Sequence, residues 1–361
     1  VPSALAGAWR HFGEVDFILY PGDLADRPWR REDWCAPLAS LAPAPIAATP
    51  TRGFFPSFQG WARGEEDTPA GAPYLQSAPL YAMPGNHEVY GAGGFHGLAP
   101  RSADPDGWSI DVFQRLFLPW TRTARPYYAV RHGNVALIAL FVARAWRPGG
   151  ADNPLGAIYR EAEPGSPAAW HHGCFTFESI APGSRQYNWL LRALAKPDFQ
   201  SAALRIVALH HPIFTCGHDA RPRFIEPVAQ TTLDPMGVSE RTYAYPEEEE
   251  LLERYLVPLF EQNGVQLVVN GHSHVYGRYV RRGIQYLETS NLGNTYGWDA
   301  RHKPNAQLEC QHHSNAESYL TLVSTEGDTP IGVSICAQDG WTIDRFTFAQ
   351  TPAQADDRNI S

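Results

Sequence analysis

The sequence predicts an α/β fold in which helices cover a sheet of buried strands. The first observation is a series of short apolar runs bounded by turn residues, at 16–20, 80–83, 135–142, 204–209 and 265–269. Near-continuous apolarity over four to eight residues is typical of strands that are buried on both faces. The second observation is that helical or irregular stretches separate these runs, which indicates βαβ units in a layered domain.

Three segments have the pattern of helices. Residues 3–12 have helical character and lead directly into the first apolar run. A segment at 184–195 places four apolar side chains on one helical face, namely Tyr187, Leu190, Leu191 and Leu194. The segment 246–262 opens with Pro and four consecutive Glu, and a helix dipole favours such anions in its first turn.

The chain changes character from Gly283 onward, where short alternating runs follow one another with turn residues between them. This pattern predicts a second, mostly antiparallel sheet that packs on the first. Residues 1–361 contain no linker that would separate it, so we expect a single domain. Long Pro- and Gly-rich insertions interrupt that domain at about 27–79, 91–109, 144–183 and 215–245.

Composition and charge exclude several classes of protein. The 361 residues are 43% hydrophobic and carry a formal charge of −9, which argues against a nucleic-acid scaffold. No apolar run approaches the roughly 18–20 residues that span a bilayer. The cysteines contain no CxxC pair, which argues against a structural zinc knuckle, while one disulfide stays possible; they are Cys35, Cys174, Cys216, Cys310 and Cys336.

Chemically active side chains follow four of the predicted strands directly. They are Asp23 after the first run, Asn86 and His87 after the second, His210 and His211 after the fourth, and His272 and His274 after the fifth. Open α/β sheets place their active sites beyond the carboxyl ends of the strands. The sequence therefore predicts that these side chains converge on one cavity.

The residue types are those of a metal centre. Imidazole, carboxylate and amide oxygen suit Zn, Mn, Fe or Co, and no thiolate belongs to the set. The two oxygens of Asp23 can bridge two ions, and the neutral Asn86 keeps the centre positive enough to bind phosphate. On a turn, the His-x-His spacing allows His272 and His274 to reach different ions.

The four motifs GDLAD, GNHE, HHP and GHSH resemble those of the calcineurin-like metallophosphoesterase superfamily. The nearest branches in style are the purple-acid-phosphatase-like and cyclic-nucleotide-phosphodiesterase-like ones, and the similarity covers roughly residues 4–350. The resemblance implies a four-layer α-β-β-α sandwich of two packed mixed sheets. It also implies hydrolysis of phosphate monoesters or diesters, small or nucleotide-like, by water that two divalent or trivalent metal ions activate.

Residue by residue, the resemblance implies that Asp23 bridges both metals and that Asn86, His210 and His272 bind the second. His274 would bind the first metal. His87 would not be a ligand but would lie beside the phosphate, where it stabilises charge or protonates the leaving oxygen. The role of His211 stays open.

Two departures from the family pattern carry expectations. The first motif, Asp-x-His or an Asp-x-Gly variant, is not found, so we expect it and the first strand to lie upstream of Val1. The purple branch has Tyr three residues after the bridging Asp, whereas this chain has Asp26. An iron–tyrosinate colour is therefore not expected.

The alternative function is that of a non-catalytic relative whose Trp-rich insertions bind a partner or a glycan. The sequence leaves open the choice between monoester and diester, the identity of the metal and the oligomeric state. Resemblance to the purple branch favours a secreted or periplasmic location, which stays an expectation.

Overall fold

The computed structural model describes residues 2–25, 34, 54–59, 62–63, 69–89, 110–118, 125–146, 174–176, 179–215, 228–233, 235–237, 239–244, 250–289, 310–314, 319–327, 329–337 and 339–348. Asp26 and four of the tryptophans that the sequence places in insertions lie outside these residues. Within the described part of the chain, no helix combines the length and the hydropathy needed to cross a bilayer.

Helices account for all three of the predicted helical segments, at least in part. The described α-helices are α1 (Pro2–Phe12), α2 (Phe54–Phe58), α3 (Tyr74–Ser77), α4 (Ile110–Phe117), α5 (Arg185–Leu194), α6 (Pro197–Gln200) and α7 (Val257–Gln262). A π-helical turn, Leu252–Leu256, precedes α7. The Ser184 hydroxyl caps α5 by accepting from the N–H of Tyr187.

The strands of the described residues are β1 (Ile18–Tyr20), β2 (Ala62–Arg63), β3 (Pro69–Ala70), β4 (Leu80–Ala82), β5 (Tyr128–His132), β6 (Val135–Ala139), β7 (Arg144–Trp146), β8 (Cys174–Thr176), β9 (Leu204–Ala208), β10 (Val228–Leu233), β11 (Ser239–Ala244), β12 (Leu267–Asn270), β13 (Tyr276–Arg281), β14 (Ile284–Glu288), β15 (Cys310–Ser314), β16 (Tyr319–Ser324), β17 (Ile331–Cys336) and β18 (Thr342–Thr347). Each of the five predicted apolar runs contains or overlaps a strand. Strands β7–β8 and β10–β11 form antiparallel pairs inside the predicted insertions.

A seven-stranded mixed sheet organises the fold, in the order β15-β13-β14-β12-β9-β6-β5. Its four central strands, β6, β9, β12 and β14, are parallel, and β5 and β13 pair antiparallel to their neighbours. All four central strands are buried along their whole length. This is the burial that continuous apolarity predicts for a sheet covered on both faces.

The second antiparallel sheet begins later than the alternating pattern predicts. Strand β14 belongs to the large sheet, where it lies parallel to β12, and so the predicted start at Gly283 is wrong. Only β16, β17 and β18 form the separate three-stranded antiparallel sheet. Every residue of β14 is buried, including Gln285 and Glu288. These two polar residues give the sequence of β14 the alternating pattern of a half-exposed strand, which explains the error.

Successive residues of the large sheet enter two different cores. Along β6, Leu137 and Ala139 belong to the first core, whereas Ala136 and Ile138 belong to the second. The second core packs the sheet against α5, the π-helical turn and α7. The first core contains residues of α1, the β1–β4 pair and the three-stranded sheet. It also contains Trp34, which lies against Phe54 and Phe117.

A largely buried ion pair joins the large sheet to the three-stranded sheet. Arg278 on β13 donates from Nε to Oδ2 of Asp344 on β18 over 2.6 Å, and from Nη2 to Oδ1 over 3.1 Å. Only 12% of the Arg278 side chain and 9% of the Asp344 side chain are exposed. The bidentate geometry makes this pair one of the stronger links between the sheets.

We predict that Arg278→Met lowers the free energy of unfolding by about 3 kcal/mol, because the Asp344 carboxylate stays buried without its countercharge. The control is Arg282→Met, since Arg282 pairs with Glu261 but leaves 74% of its side chain exposed. Its loss should cost no more than about 1 kcal/mol. Urea denaturation measures both values, and equal losses would contradict the prediction.

Candidate metal centre

Four strands bring the candidate ligands to one edge of the fold. Strands β1 and β4 are parallel and lead to Asp23 and Asn86, and the parallel β9 and β12 lead to His210 and His272. The side chains that the sequence assigns to four separate motifs therefore meet beyond four carboxyl strand ends.

The candidate ligand atoms of Asp23, Asn86 and His272 all lie within hydrogen-bonding distance of His210 Nε2. His210 Nε2 is 2.9 Å from Asn86 Oδ1, 3.1 Å from Asp23 Oδ2 and 3.2 Å from His272 Nδ1. Asn86 Oδ1 is also 2.9 Å from His272 Nδ1. Asn86, His210 and His272 are buried.

The hydrogen bonds of His210 indicate what this cluster accommodates. Its Nδ1 lies 2.7 Å from the Pro21 carbonyl, which can only accept, so Nδ1 carries the proton. In the neutral ring, Nε2 then presents a lone pair towards the oxygens of Asp23 and Asn86. Lone pairs facing one another repel unless a proton or a cation lies between them. The donor set of two oxygens and two imidazole nitrogens fits a first-row transition metal ion.

The pKa shifts of Asp23 and His210 are those expected for two groups in direct contact. Burial acts to raise the pKa of the Asp23 carboxyl, but the charges of His210, His87 and His272 together hold it well below its usual range. Burial acts to lower the pKa of His210, yet the charge of Asp23 and the hydrogen bonds to Asp23 and Pro21 raise it. The carboxylate therefore stays available as a ligand, and a metal ion competes with one proton on His210.

Backbone strain coincides with the candidate ligands. Among the described non-glycine residues, positive φ angles occur at Asp23 (56°), His272 (74°), His274 (57°) and Arg282 (47°). Left-handed backbone is unfavourable for residues with a Cβ, and such residues concentrate at functional sites. Three of the four are candidate ligands, an observation that is independent of the motif resemblance.

Two glycines allow the two ligand-bearing turns to touch. A Cβ on Gly85 would lie 2.6 Å from the backbone nitrogen of Asp23 and 2.8 Å from the ring of His210. A Cβ on Gly22 would lie 2.7 Å from the nitrogen of Gly85 and 2.6 Å from Nδ1 of His210. Side chains at these positions would push Asp23 and Asn86 apart, which explains why both motifs have glycine.

Glu88 is a residue of the site whose role the sequence analysis missed. It is fully buried, and its Oε2 accepts from the N–H groups of Asp23 (2.8 Å) and Gly85 (2.7 Å). Its Oε1 accepts from those of Leu24 (2.8 Å) and Ala25 (3.4 Å). Burial, and then the charge of Asp23, raises the pKa of Glu88 to about 7. One carboxylate thus ties the turn of Asp23 to the turn of Asn86.

The remaining candidates lie around this cluster. His274 lines the same cavity as Asp23, His210 and His272. His87 is partly exposed, with Nε2 4.0 Å from Asp23 Oδ2, and its backbone N–H donates to Asp23 Oδ1 over 3.0 Å.

The position of His211 differs from that of its neighbour. A donor atom of His211 lies within 4.8 Å of donor atoms of His210 and His272, so these three histidines form a second possible ligand group. However, the His211 ring stacks on His272, with centroids 3.9 Å apart, and its Nδ1 lies 3.2 Å from the Val142 carbonyl. We favour the set of Asp23, Asn86, His210 and His272, because its donor atoms meet around one point.

Comparisons with known proteins identify the family of the chain and structures that share its fold. The family model described as calcineurin-like phosphoesterase matches residues 3–276. A comparison with curated proteins finds no match.

Two solved structures share the fold. The purple acid phosphatase PPD1 from seeds of yellow lupin (Lupinus luteus) aligns over 96% of this chain and 48% of its own, with a TM-score of 0.53 and 14% identity. This chain therefore spans about half the length of the lupin protein. GAP50, described as the anchor in the inner membrane complex of Plasmodium, aligns over 98% of this chain and 84% of its own, with a TM-score of 0.50 and 11% identity.

Proposed function

The chain belongs to the calcineurin-like phosphoesterase family, and we propose that it hydrolyses phosphate monoesters or diesters with the help of two metal ions. The observation that carries the proposal is the cluster of three ligand atoms, from Asn86, Asp23 and His272, that lie 2.9–3.2 Å from His210 Nε2. Family membership supplies the reaction class, and this cluster supports the capacity to perform it.

The residues would divide the work as follows. Asn86, His210 and His272 would hold one ion, His274 the other, and Asp23 both. Bound cations would supply positive charge that activates water and neutralises the phosphate oxygens. Because Asn86 is neutral and Asp23 is the single carboxylate among the proposed ligands, two cations would leave a net positive centre that attracts a phosphate ester.

His87 would protonate the leaving group. Attack of water on phosphorus breaks the bond to the ester oxygen, which then needs a proton. The His87 side chain is 23% exposed and lies at the rim of the cluster, 4.0 Å from Asp23. The backbone hydrogen bond from His87 to Asp23 orients both residues together. A protonated His87 can donate to the leaving oxygen and become neutral.

The finer architecture is also a proposal. We infer a four-layer sandwich in which α5–α7 cover the outer face of the large sheet. The strands β1, β4 and β16–β18 would form the second sheet, with α1 on its outside. The separation of the two cores supports this order, as does the packing of α1 against β16. That the family's first strand lies upstream of Val1 stays a prediction.

A non-catalytic role is the competing hypothesis, because the fold is shared with a protein described as an anchor. Fold similarity at 11–14% identity does not distinguish the two functions. The strained backbone at three candidate ligands favours the enzyme, since strain of this kind concentrates at active sites, ligand clamps and switch regions, and here it lies at the proposed metal ligands.

We predict that the full-length protein, supplied with Zn²⁺ or Mn²⁺, hydrolyses nitrophenyl phosphate or bis-nitrophenyl phosphate. A chelator should abolish the activity, and adding back the metal should restore it, because the cations supply the charge at the centre. Metal analysis by mass spectrometry and release of nitrophenolate measure the two results. No metal uptake and no hydrolysis of either ester would contradict the proposal.

A further inference from the structure

His211 adjoins one candidate ligand in the chain and another in space. It follows His210 directly, and its ring stacks on that of His272, with centroids 3.9 Å apart and ring planes inclined by 26°. All three histidines are buried. The position of His211 is therefore suited either to bind a metal ion itself or to hold the ring of a residue that does.

The angles between the rings separate these two roles. The lone pair of an imidazole nitrogen lies in the plane of the ring, and a bound zinc ion lies about 2.0–2.1 Å from that nitrogen. The rings of His210 and His272 are inclined by 76°, so their planes can cross at one ion near the two nitrogens that lie 3.2 Å apart. The rings of His211 and His272 lie one above the other and nearly parallel, so no ion within bonding distance lies in both planes. This geometry favours a supporting role for His211.

The Val142 carbonyl fixes the ring of His211. It accepts from the backbone N–H of His211 over 3.4 Å, and it lies 3.2 Å from Nδ1 of the same residue. Because a carbonyl only accepts, Nδ1 carries a proton and donates it. Asn270, the last residue of β12, donates from Nδ2 to the His211 carbonyl over 3.4 Å. Hydrogen bonds therefore hold both the backbone and the ring of His211.

Gln186 in turn holds the segment that presents the Val142 carbonyl. Strand β5 begins at Tyr128, which pairs with Ala139 of β6, and Phe141 lies two residues beyond this pair. The N–H of Phe141 donates to Gln186 Oε1 over 2.8 Å, and its carbonyl accepts from Gln186 Nε2 over 2.9 Å. The side-chain amide thus supplies the pairing that a neighbouring strand would supply. Gln186 is 1% exposed and lies in the first turn of α5, so this helix fixes the residue next to Val142.

The backbone of His272 requires a restraint of this kind. Its φ angle of 74° lies in the left-handed region, and such strain persists only where the surrounding structure holds it. A histidine that binds a metal also depends on groups that orient its ring. For His210 the Pro21 carbonyl at Nδ1 serves this purpose. For His272 the ring of His211 covers one face and limits its rotation.

We propose that His211 is a positioning residue of the metal centre, an inference that rests on the proposed function. It holds the ring of His272 in the orientation in which Nδ1 points to the atoms of Asn86 and His210. Gln186 acts through His211, because it fixes the segment 141–142 on which the His211 ring depends. The contacts thus run from α5 through the end of β6 to the candidate ligand.

Two substitutions separate the stacking face of His211 from its nitrogens. Asparagine can place its amide nitrogen near the position of Nδ1 and keep the bond to Val142, but it has no ring to stack on His272. Phenylalanine keeps the ring but has no atom that binds a metal. We expect His211→Asn to lower the Zn²⁺ affinity of the full-length protein about 10–100-fold, and His211→Phe to lower it no more than about 3-fold. Isothermal titration measures both affinities.

Every other result of this comparison would overturn the proposal. Large and equal losses in both variants would mean that a nitrogen of His211 binds the metal. Unchanged affinity in both would mean that the stack has no effect, and a larger loss in His211→Phe would mean that only the bond to Val142 matters. Wild-type protein that binds no Zn²⁺ would overturn the proposed function as well, so the two failures are distinguishable.

Bound Co²⁺ provides a readout that a purely structural role would not change. Its visible absorption depends on the number and geometry of its ligands, so His211→Asn at saturating Co²⁺ should change the spectrum and His211→Phe should keep it. The control is Phe214→Leu, because Phe214 is buried three residues further along but packs on Tyr286, with centroids 4.8 Å apart. The control should lose stability in thermal unfolding and keep the spectrum. An unchanged spectrum in His211→Asn, or a changed one in the control, would contradict the proposal.

Gln186→Met tests whether Gln186 acts through His211. Methionine has a similar length but can neither donate to Phe141 nor accept from it. Alone, the substitution should weaken Zn²⁺ binding about 3–10-fold, whereas added to His211→Asn it should cause no further loss, since the ring that it fixes is gone. Isothermal titration of both single variants and the double variant completes the cycle. Losses that multiply in the double variant would show independent effects and would refute the connection.

Discussion

His272→Ala is expected to lower metal affinity and phosphate-ester hydrolysis together, each by at least about 100-fold. His272 Nδ1 lies 2.9 Å from Asn86 Oδ1 and 3.2 Å from His210 Nε2, so its loss removes one of the four converging donors. Changes to residues that only orient metal ligands cost about 10–100-fold, and loss of a ligand should exceed this. Isothermal titration with Zn²⁺ and nitrophenolate release measure the two effects.

His132→Ala is the matched control, because His132 lines the same cavity at its other end. Its ring contacts the Tyr81 hydroxyl and Phe17. The control should keep metal affinity and activity. Excess Zn²⁺ should partly restore activity to His272→Ala, because occupancy of a weakened site rises with metal concentration. Unchanged hydrolysis in His272→Ala, with or without added metal, would contradict the assigned role.

The strands and helices with a continuous pattern could be predicted from the sequence. The runs at 135–142 and 204–209 contain β6 and β9, and the segment 184–195 contains α5 together with its Ser184 cap. These elements are predictable because their burial is uniform or follows one helical face. The local sequence pattern and the tertiary environment then favour the same secondary structure.

Sheet membership was harder to predict, because polar residues can occupy buried strands. Strand β14 contains Gln285 and Glu288, and its alternation suggested a half-exposed antiparallel strand. In the structure Gln285 is satisfied by Arg278 and by the Thr347 carbonyl. Hydrogen bonds such as these offset the cost of burying a polar side chain. They form only in the folded chain, so the local sequence does not reveal them.

Sequence reasoning predicted a convergence of ligands from their positions after strands, and the structure places Asp23, Asn86, His210 and His272 together. The roles of these residues stay predictions. Glu88 escaped notice although it belongs to the GNHE motif. From the sequence, an acidic residue beside metal ligands suggests a further ligand or a solvent-exposed charge. The hydrogen-bond partners of Glu88, the N–H groups of Asp23, Leu24 and Ala25, lie more than 60 residues earlier in the chain, so the local sequence does not indicate them.

Glu88→Gln is expected to destabilise the protein by about 3 kcal/mol and to lower Zn²⁺ affinity about 10–100-fold. The substitution keeps the shape but replaces one acceptor oxygen by a donating NH₂ group. That group would face the N–H groups of either Asp23 and Gly85 or Leu24 and Ala25. Each buried donor left unsatisfied costs about 1–3 kcal/mol. Thermal unfolding and isothermal titration with Zn²⁺ measure the two effects.

Glu250→Gln provides the same chemical change at another buried glutamate. The Glu250 carboxylate accepts from the backbone N–H of Glu253, and a glutamine oxygen can keep that bond. Its loss of stability should therefore stay below about 1 kcal/mol, with Zn²⁺ affinity unchanged. If Glu88→Gln lost only stability, Glu88 would be a structural residue. A combined loss of stability and metal affinity requires that the carboxylate also fixes the distance between the turns that carry Asp23 and Asn86.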